Sequence, residues 1–264
     1  MRLLPSVIVV LALFLSSQTW AQNPSIDPLK DSQAVSVVDQ AIRVAGGANA
    51  IFAIADYKSQ GTITYHGSDD VQGAVMISDR GLDRFRFDST LPSGVRSIAI
   101  IEGGMTVQRE NGVLRRVHEQ APMTLEALAM PHLRLLIALN NSSLGLYYRG
   151  ITEVADRPTH VVRVQAILPN AVGRDDPVTQ YVTMDFFIDA ETYQIVMTRD
   201  LIPKLIPHEI HYSDYRSVDG VMMPYAMSEA ISGHETWILQ LNSIIVNTGI
   251  QDSQFEIEEE QHAR

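Results

Sequence analysis

The 264-residue chain contains no cysteine. That absence excludes disulfides, thiolate metal sites, a cysteine nucleophile and a lipid-modified N-terminal cysteine. Positive charge is also scarce: 20 Lys and Arg stand against 31 Asp and Glu, for a net charge of -11, and the basic residues form no cluster. Nucleic acids and anionic membrane surfaces draw their affinity from such clusters, so neither is an expected partner. After the first stretch there is no apolar run long enough to cross a bilayer, so the mature chain is expected to carry no transmembrane segment. Catalytic signatures are missing too. There is no G-x-S-x-G elbow, no phosphate-binding loop, no G-x-G-x-x-G and no H-E-x-x-H.

What is present begins with an export signal. Arg2 precedes the apolar run 7–15, and Thr19 and Ala21 stand at the spacing that a signal peptidase reads. Residues 1–21 therefore read as a signal peptide cleaved after Ala21, which places the mature protein in the periplasm or outside the cell. Cleavage removes Arg2 and no other charge, leaving a net charge of about -12. Residues 22–32, with Pro24 and Pro28, read as a linker. A hydrophobic share of 45% supplies a sizeable core for one domain over 33–257, and a charged tail follows at 258–264.

Within that domain the period of the apolar residues is mostly two. Ser32 is placed to cap a first helix, whose apolar face is Ala34, Val37, Val38, Ala41 and Ile42, and Gly46-Gly47 closes it. Strands follow at 57–65, 71–78, 83–88, 95–101, 106–109 and 113–117. The pattern turns helical at 124–139, where Thr124 can cap and Pro131 kinks or splits the helix near Met130. Strands resume at 144–153 and 159–168, and a polar loop spans 169–177. Residues 181–188, 193–198, 208–215, 221–231 and 236–246 then form one antiparallel run. Its turns are marked by Asp219-Gly220 and Ser232-Gly233, where Gly accepts the positive φ of a tight hairpin. The fold class expected is mainly β: an unclosed antiparallel β-barrel with an N-terminal helix and a helical lid or plug.

Candidate polar sites are weak. His208, Glu209 and His211 come closest to a metal cluster. On a strand, however, Glu209 and His211 share one face and His208 takes the other, so a polar outer face is the simpler reading and no metal is expected. His66, Asp69 and Asp70 lack the spacing of a calcium loop and read as a solvated hairpin tip. Asp83, Arg84, Arg86 and Asp88 read as a wet strand face. The apolar phase is more informative. Val182, Met184 and Phe186 share one face, as do Ile195 and Met197, then Met223, Tyr225 and Met227, and then Trp237 and Leu239. With Leu125, Leu128, Leu133 and Leu136 of the lid, they are the candidate lining of an apolar cavity. Ten methionines suit such an adaptable surface. Taken singly, each is read first as core filling.

The order of elements, and above all Asp189-Ala-Glu-Thr-Tyr193 and Tyr212-Ser-Asp-Tyr-Arg-Ser-Val-Asp-Gly-Val-Met-Met-Pro224, resembles the LolA/LolB-like superfamily of periplasmic outer-membrane lipoprotein-sorting proteins over about 33–257. The resemblance implies a half-barrel around a helical plug, a cavity for acyl chains, no cofactor, and a carrier that is not an enzyme. Its expected partner is a lipid or an acylated lipoprotein. The alternative within the same fold is an envelope sensor or interaction module acting through a protein partner. A hydrolase with its site in the barrel mouth is a third reading, and no nucleophile–base pair supports it.

Overall fold

The computed structural model describes residues 29–82, 84–101, 105–110, 113–117, 128–166, 183–202 and 205–257. Two helices open the domain, α1 (Ser32–Val44) and α2 (Ala48–Ala53). Six strands follow: β1 (Tyr57–Tyr65), β2 (Val71–Arg80), β3 (Arg84–Leu91), β4 (Gly94–Ile101), β5 (Met105–Glu110) and β6 (Val113–Val117). Helix α3 (Pro131–Asn140) interrupts the sheet. Seven more strands complete it: β7 (Leu144–Val154), β8 (Arg157–Ala166), β9 (Thr183–Asp189), β10 (Ile195–Ile202), β11 (Ile206–Val218), β12 (Val221–Ile231) and β13 (His234–Val246).

All thirteen described strands join one sheet in the order β6-β5-β4-β3-β2-β1-β13-β12-β11-β10-β9-β8-β7. Two antiparallel meanders are thus spliced where β1 pairs with β13. Among the described residues β6 and β7 stand at the two ends of the sheet and pair with no further strand, apart from a single bridge from Lys30 to Leu146 of β7, so the barrel is open, as the sequence predicts. Bulges at Gln60/Gly61, Tyr148/Gly150, Ile195/Met197 and Glu229/Ala230 bend their strands, and bending of this kind lets a long twisted sheet curl. The turns follow the sequence signals. Asp219 and Gly220 take φ of 48° and 83°, and Ser232 and Gly233 take 53° and 78°.

The inner face of the curl packs on the helices. Ala34, Val38 and Ala41 of α1 and Leu135, Leu136 and Ala138 of α3 are fully or almost fully buried with Ile63, Ile77, Phe186, Ile210 and Leu239. Each Leu or Ile buried in this way contributes about 1.5–3 kcal/mol. The N-cap of α1 is Asp31, not Ser32: the Asp31 carboxylate accepts from Gln33 N at 2.8 Å. Asp31 also donates its own N–H to the Leu146 carbonyl at 2.8 Å, and Leu146 N donates to Leu29 at 2.9 Å. The segment before α1 is thereby seated on β7. At the other end of α1, Gly46 (φ 116°) lies against the Gly220 carbonyl of the β11–β12 turn so closely that an added Cβ would collide with it. Neighbouring Ala45 accepts from Met222 N at 2.9 Å.

Pro131 starts α3 at its first turn instead of kinking a longer helix, since its missing N–H has no partner to lose there. The expected Thr124 cap, the loop at 169–177, the signal peptide and the tail lie outside the described residues. The Arg86–Asp88 face is covered as well as charged. The 250–257 segment crosses it, and Arg86 donates to the carbonyls of Gln254 and Glu256 at 3.1 and 2.7 Å. No helix among the described residues is long and apolar enough to cross a membrane.

Candidate functional site

The helices fill one end of the curl. Near the hairpin ends at the other, the inner faces of β1–β4 and of β12–β13 enclose a cavity of about 490 Å³. Its apolar wall includes Tyr65, Phe87, Leu91, Ile98, Ile231 and Trp237, and its polar atoms come from His66, Ser93, Arg96, Glu229 and Thr236. Strand phase explains the wall. Phe87 lies opposite Ile98 and Ser89 opposite Arg96 in the β3–β4 register, so Arg96 and Ile98 point inward with Phe87. The Arg96 guanidinium stands over the Tyr65 ring, 5.3 Å from its centre.

Glu229 belongs to a buried ionic network beneath the cavity. His208 is 1% exposed; its Nε2 lies 2.8 Å from Glu229 Oε1 and its Nδ1 lies 2.8 Å from Asp200 Oδ1. Thr236 Oγ1 donates to the second Glu229 oxygen. Burial disfavours the imidazolium, but the two carboxylates outweigh burial and hold His208 up to about 9. At neutral pH both ring nitrogens therefore donate. His66 bridges the rim in a weaker way, with Nδ1 at 3.0 Å from Asp70 and Nε2 at 3.3 Å from Glu235.

A second polar arrangement lies beside the plug. His132 of α3 is 2% exposed, neither ring nitrogen has a hydrogen-bond partner, and its ring meets Tyr215 edge-on at 5.9 Å. Burial alone drives its pKa down to about 3, so it is neutral. On the β1 side, the Tyr57 hydroxyl donates to Asp79 at 3.3 Å and accepts from Ala129 N at 3.1 Å. Among the described residues no group of His, Asp and Glu is arranged to hold a metal.

No protein-family model and no curated protein matches the chain. Solved structures do. A LolA superfamily protein from Nitrosomonas europaea superposes with a TM-score of 0.55 at 12% identity, over 85% of this chain and 97% of that one. An outer membrane lipoprotein-sorting protein domain from Vibrio parahaemolyticus gives 0.52 at 8% identity, over 84% and 96%. A DUF1329 family protein from Desulfovibrio piger gives 0.51 at 11% identity, over 84% and 96%. The fold is that of the LolA superfamily.

In this LolA-like frame the sequence-predicted lining separates into groups. Leu128, Leu133 and Leu136 lie in the plug, and Met184, Phe186, Ile195, Met223, Tyr225, Met227 and Leu239 lie on the inner sheet face; all join one apolar core. Trp237 belongs to that core and also lines the cavity. Met197 does not share a face with Ile195. The bulge between them turns Met197 outward onto Val161 and Phe187, in a separate apolar cluster. Leu125 and Val182 lie outside the described residues.

His208 also departs from the expectation of an outer polar face. It shares the inner phase of Ile210 and Tyr212, while Glu209 turns outward to Arg199 at 2.7 Å. Arg96, Tyr65, Glu229 and Asp200 were not singled out by sequence. The available signal was an arginine in phase with Ile98 and Ile100, inside an otherwise apolar strand.

Proposed function

We propose that the chain is an extracytoplasmic binding protein that shields an acyl chain, from a free lipid or an acylated lipoprotein, in the cavity at the open end of its half-barrel. The observation that carries this reading is the cavity itself. It is a concavity of about 490 Å³ with an aromatic and aliphatic wall, and its size falls in the range of small-molecule sites. Each methylene withdrawn from water gains about 0.8 kcal/mol, so a chain of ten or so carbons is held by burial alone. The lipoprotein-sorting relative of the same fold supports the choice of ligand class.

The reading is of a binder and not a catalyst. An acyl chain needs a shaped apolar wall, and Tyr65, Phe87, Leu91, Ile98, Ile231 and Trp237 supply one. The test is native mass spectrometry of the protein from Gln22 onward, followed by solvent extraction of what co-purifies. A stoichiometric lipid or acylated peptide, or uptake of an added fatty acid, is expected. A clean unliganded mass with no uptake would remove the carrier reading. It would turn attention to a protein partner, for which the β7 edge beyond the Lys30–Leu146 bridge, with Ile151 61% exposed, offers a docking strand.

A further inference from the structure

Among the described residues the cavity carries a guanidinium with no carboxylate partner. Arg96 projects from the inner face of β4, its Nε is buried without a hydrogen-bond partner, and its contact is the Tyr65 ring. Among the described residues no carboxylate pairs with it. The other ionisable groups at the cavity have carboxylate or hydrogen-bond neighbours: Glu229 is held by His208 and Thr236, and His66 is hydrogen-bonded to Asp70 through Nδ1, with Glu235 at 3.3 Å from an Nε2 that makes no hydrogen bond. A guanidinium keeps its charge at any working pH, and a buried N–H left unmade costs free energy. Such a group beside an apolar wall is half of a binding site. Its planar fork matches a carboxylate or phosphate, and Phe87, Ile98 and Trp237 on the same wall match the hydrocarbon behind it.

We propose that this cavity selects amphiphiles with an anionic head, a carboxylate or a phosphate monoester, and that Arg96 holds the head while the chain lies along the apolar wall. The inference rests on the carrier reading and adds the head-group chemistry to it. Stacking on Tyr65 orients the guanidinium before the ligand arrives, so less side-chain freedom is lost on binding.

The test compares three ligands of equal chain length, dodecanoate, dodecyl phosphate and 1-dodecanol, by calorimetric titration of the delipidated protein from Gln22 onward. The two anions are expected to bind about tenfold or more tighter than the alcohol, the scale of a charge-assisted hydrogen bond. Arg96→Gln should bring all three within about twofold of one another, and Arg96→Lys should keep part of the preference because it keeps the charge. Circular dichroism checks that both variants are folded. A lead of dodecyl phosphate over dodecanoate would point to phosphate-monoester heads and the reverse order to free fatty acids; both support an anion site. Equal binding of alcohol and anions in the unaltered protein, or a preference that survives Arg96→Gln, overturns the inference and leaves the carrier reading standing. Uptake of none of the three removes both.

Discussion

Ala129 donates its backbone N–H to the Tyr57 hydroxyl at 3.1 Å, and through that contact the plug is fastened to the first strand of the sheet. Tyr57 is 1% exposed and passes its own proton toward Asp79 on β2, so one side chain links three segments far apart in sequence. Burial and the Asp79 charge both push the phenol upward, keeping it a donor throughout the physiological range. Tyr57→Phe preserves the ring and removes the acceptor from Ala129. The expected loss is about 1–3 kcal/mol of stability, seen as a lower urea midpoint, together with faster hydrogen exchange at 128–130. A midpoint equal to that of the unaltered protein would show that water replaces the hydroxyl without loss.

Two buried histidines set opposite limits on stability with pH. The folded pKa of His208 is raised to about 9 from 6.5, so its contribution is complete below about 6.5 and is lost as pH rises through 9. His132 is lowered to about 3 by burial, so the unfolded chain takes up its proton first, and the folded state loses ground as pH falls below 6.5. The melting temperature should therefore peak between the two arms, near pH 6.5, with arms on the order of 3 to 5 kcal/mol deep, the acid one the deeper. His208→Gln should flatten the alkaline arm and His132→Phe the acid arm. If the alkaline arm persists in His208→Gln, the fall has another origin.

Much of the architecture was legible because the turns are chemically marked. Asp219-Gly220 and Ser232-Gly233 adopt the positive φ their residues allow, and the strands between such pairs are long enough to fix the alternation. Faces within a strand were less legible, for a physical reason. The one-residue bulge at Ile195/Met197 inverts the phase of everything after it without any local composition signal, so Met197 and Thr198 exchange sides. The same inversion brings Asp200 inward to His208. Read alone, each member of the Asp200–His208–Glu229 set is a polar strand residue. Their pairing depends on register across three strands, which alternation within any one of them does not specify.

One carboxylate anchors the start of the C-terminal segment. Asp56, just before β1, accepts from Thr248 N at 2.7 Å, Thr248 Oγ1 at 2.9 Å, Gly249 N at 3.0 Å and Ile250 N at 3.3 Å. Burial raises its pKa, but the four hydrogen bonds outweigh burial and leave it below the usual carboxylate range. Asp56→Ala should release the segment that carries Phe255 across the outer face, at a loss of about 1–3 kcal/mol. Hydrogen–deuterium exchange of the 249–257 peptide reads this directly. Protection that stays unchanged would show that Arg80 and Arg86 hold the segment by themselves.

Trp237 offers a way to watch the cavity. The chain has two tryptophans, Trp20 and Trp237, and a protein beginning at Gln22 keeps only the second. Its side chain lies on the cavity wall and is 6% exposed, so it is already in an apolar setting but borders the space a ligand would enter. An acyl chain lying against the indole displaces the nearby water and should shift its emission to shorter wavelength, with a change that saturates at one ligand per protein. Trp237→Phe should abolish the signal while weakening binding by no more than about tenfold, since a phenyl ring retains most of the buried apolar area. A ligand bound one-to-one by mass spectrometry that leaves the emission unmoved must sit elsewhere. The cavity between β1–β4 and β12–β13 would then be wall without cargo, and the outer-face cluster at Val161, Phe187 and Met197 would be the next place to look.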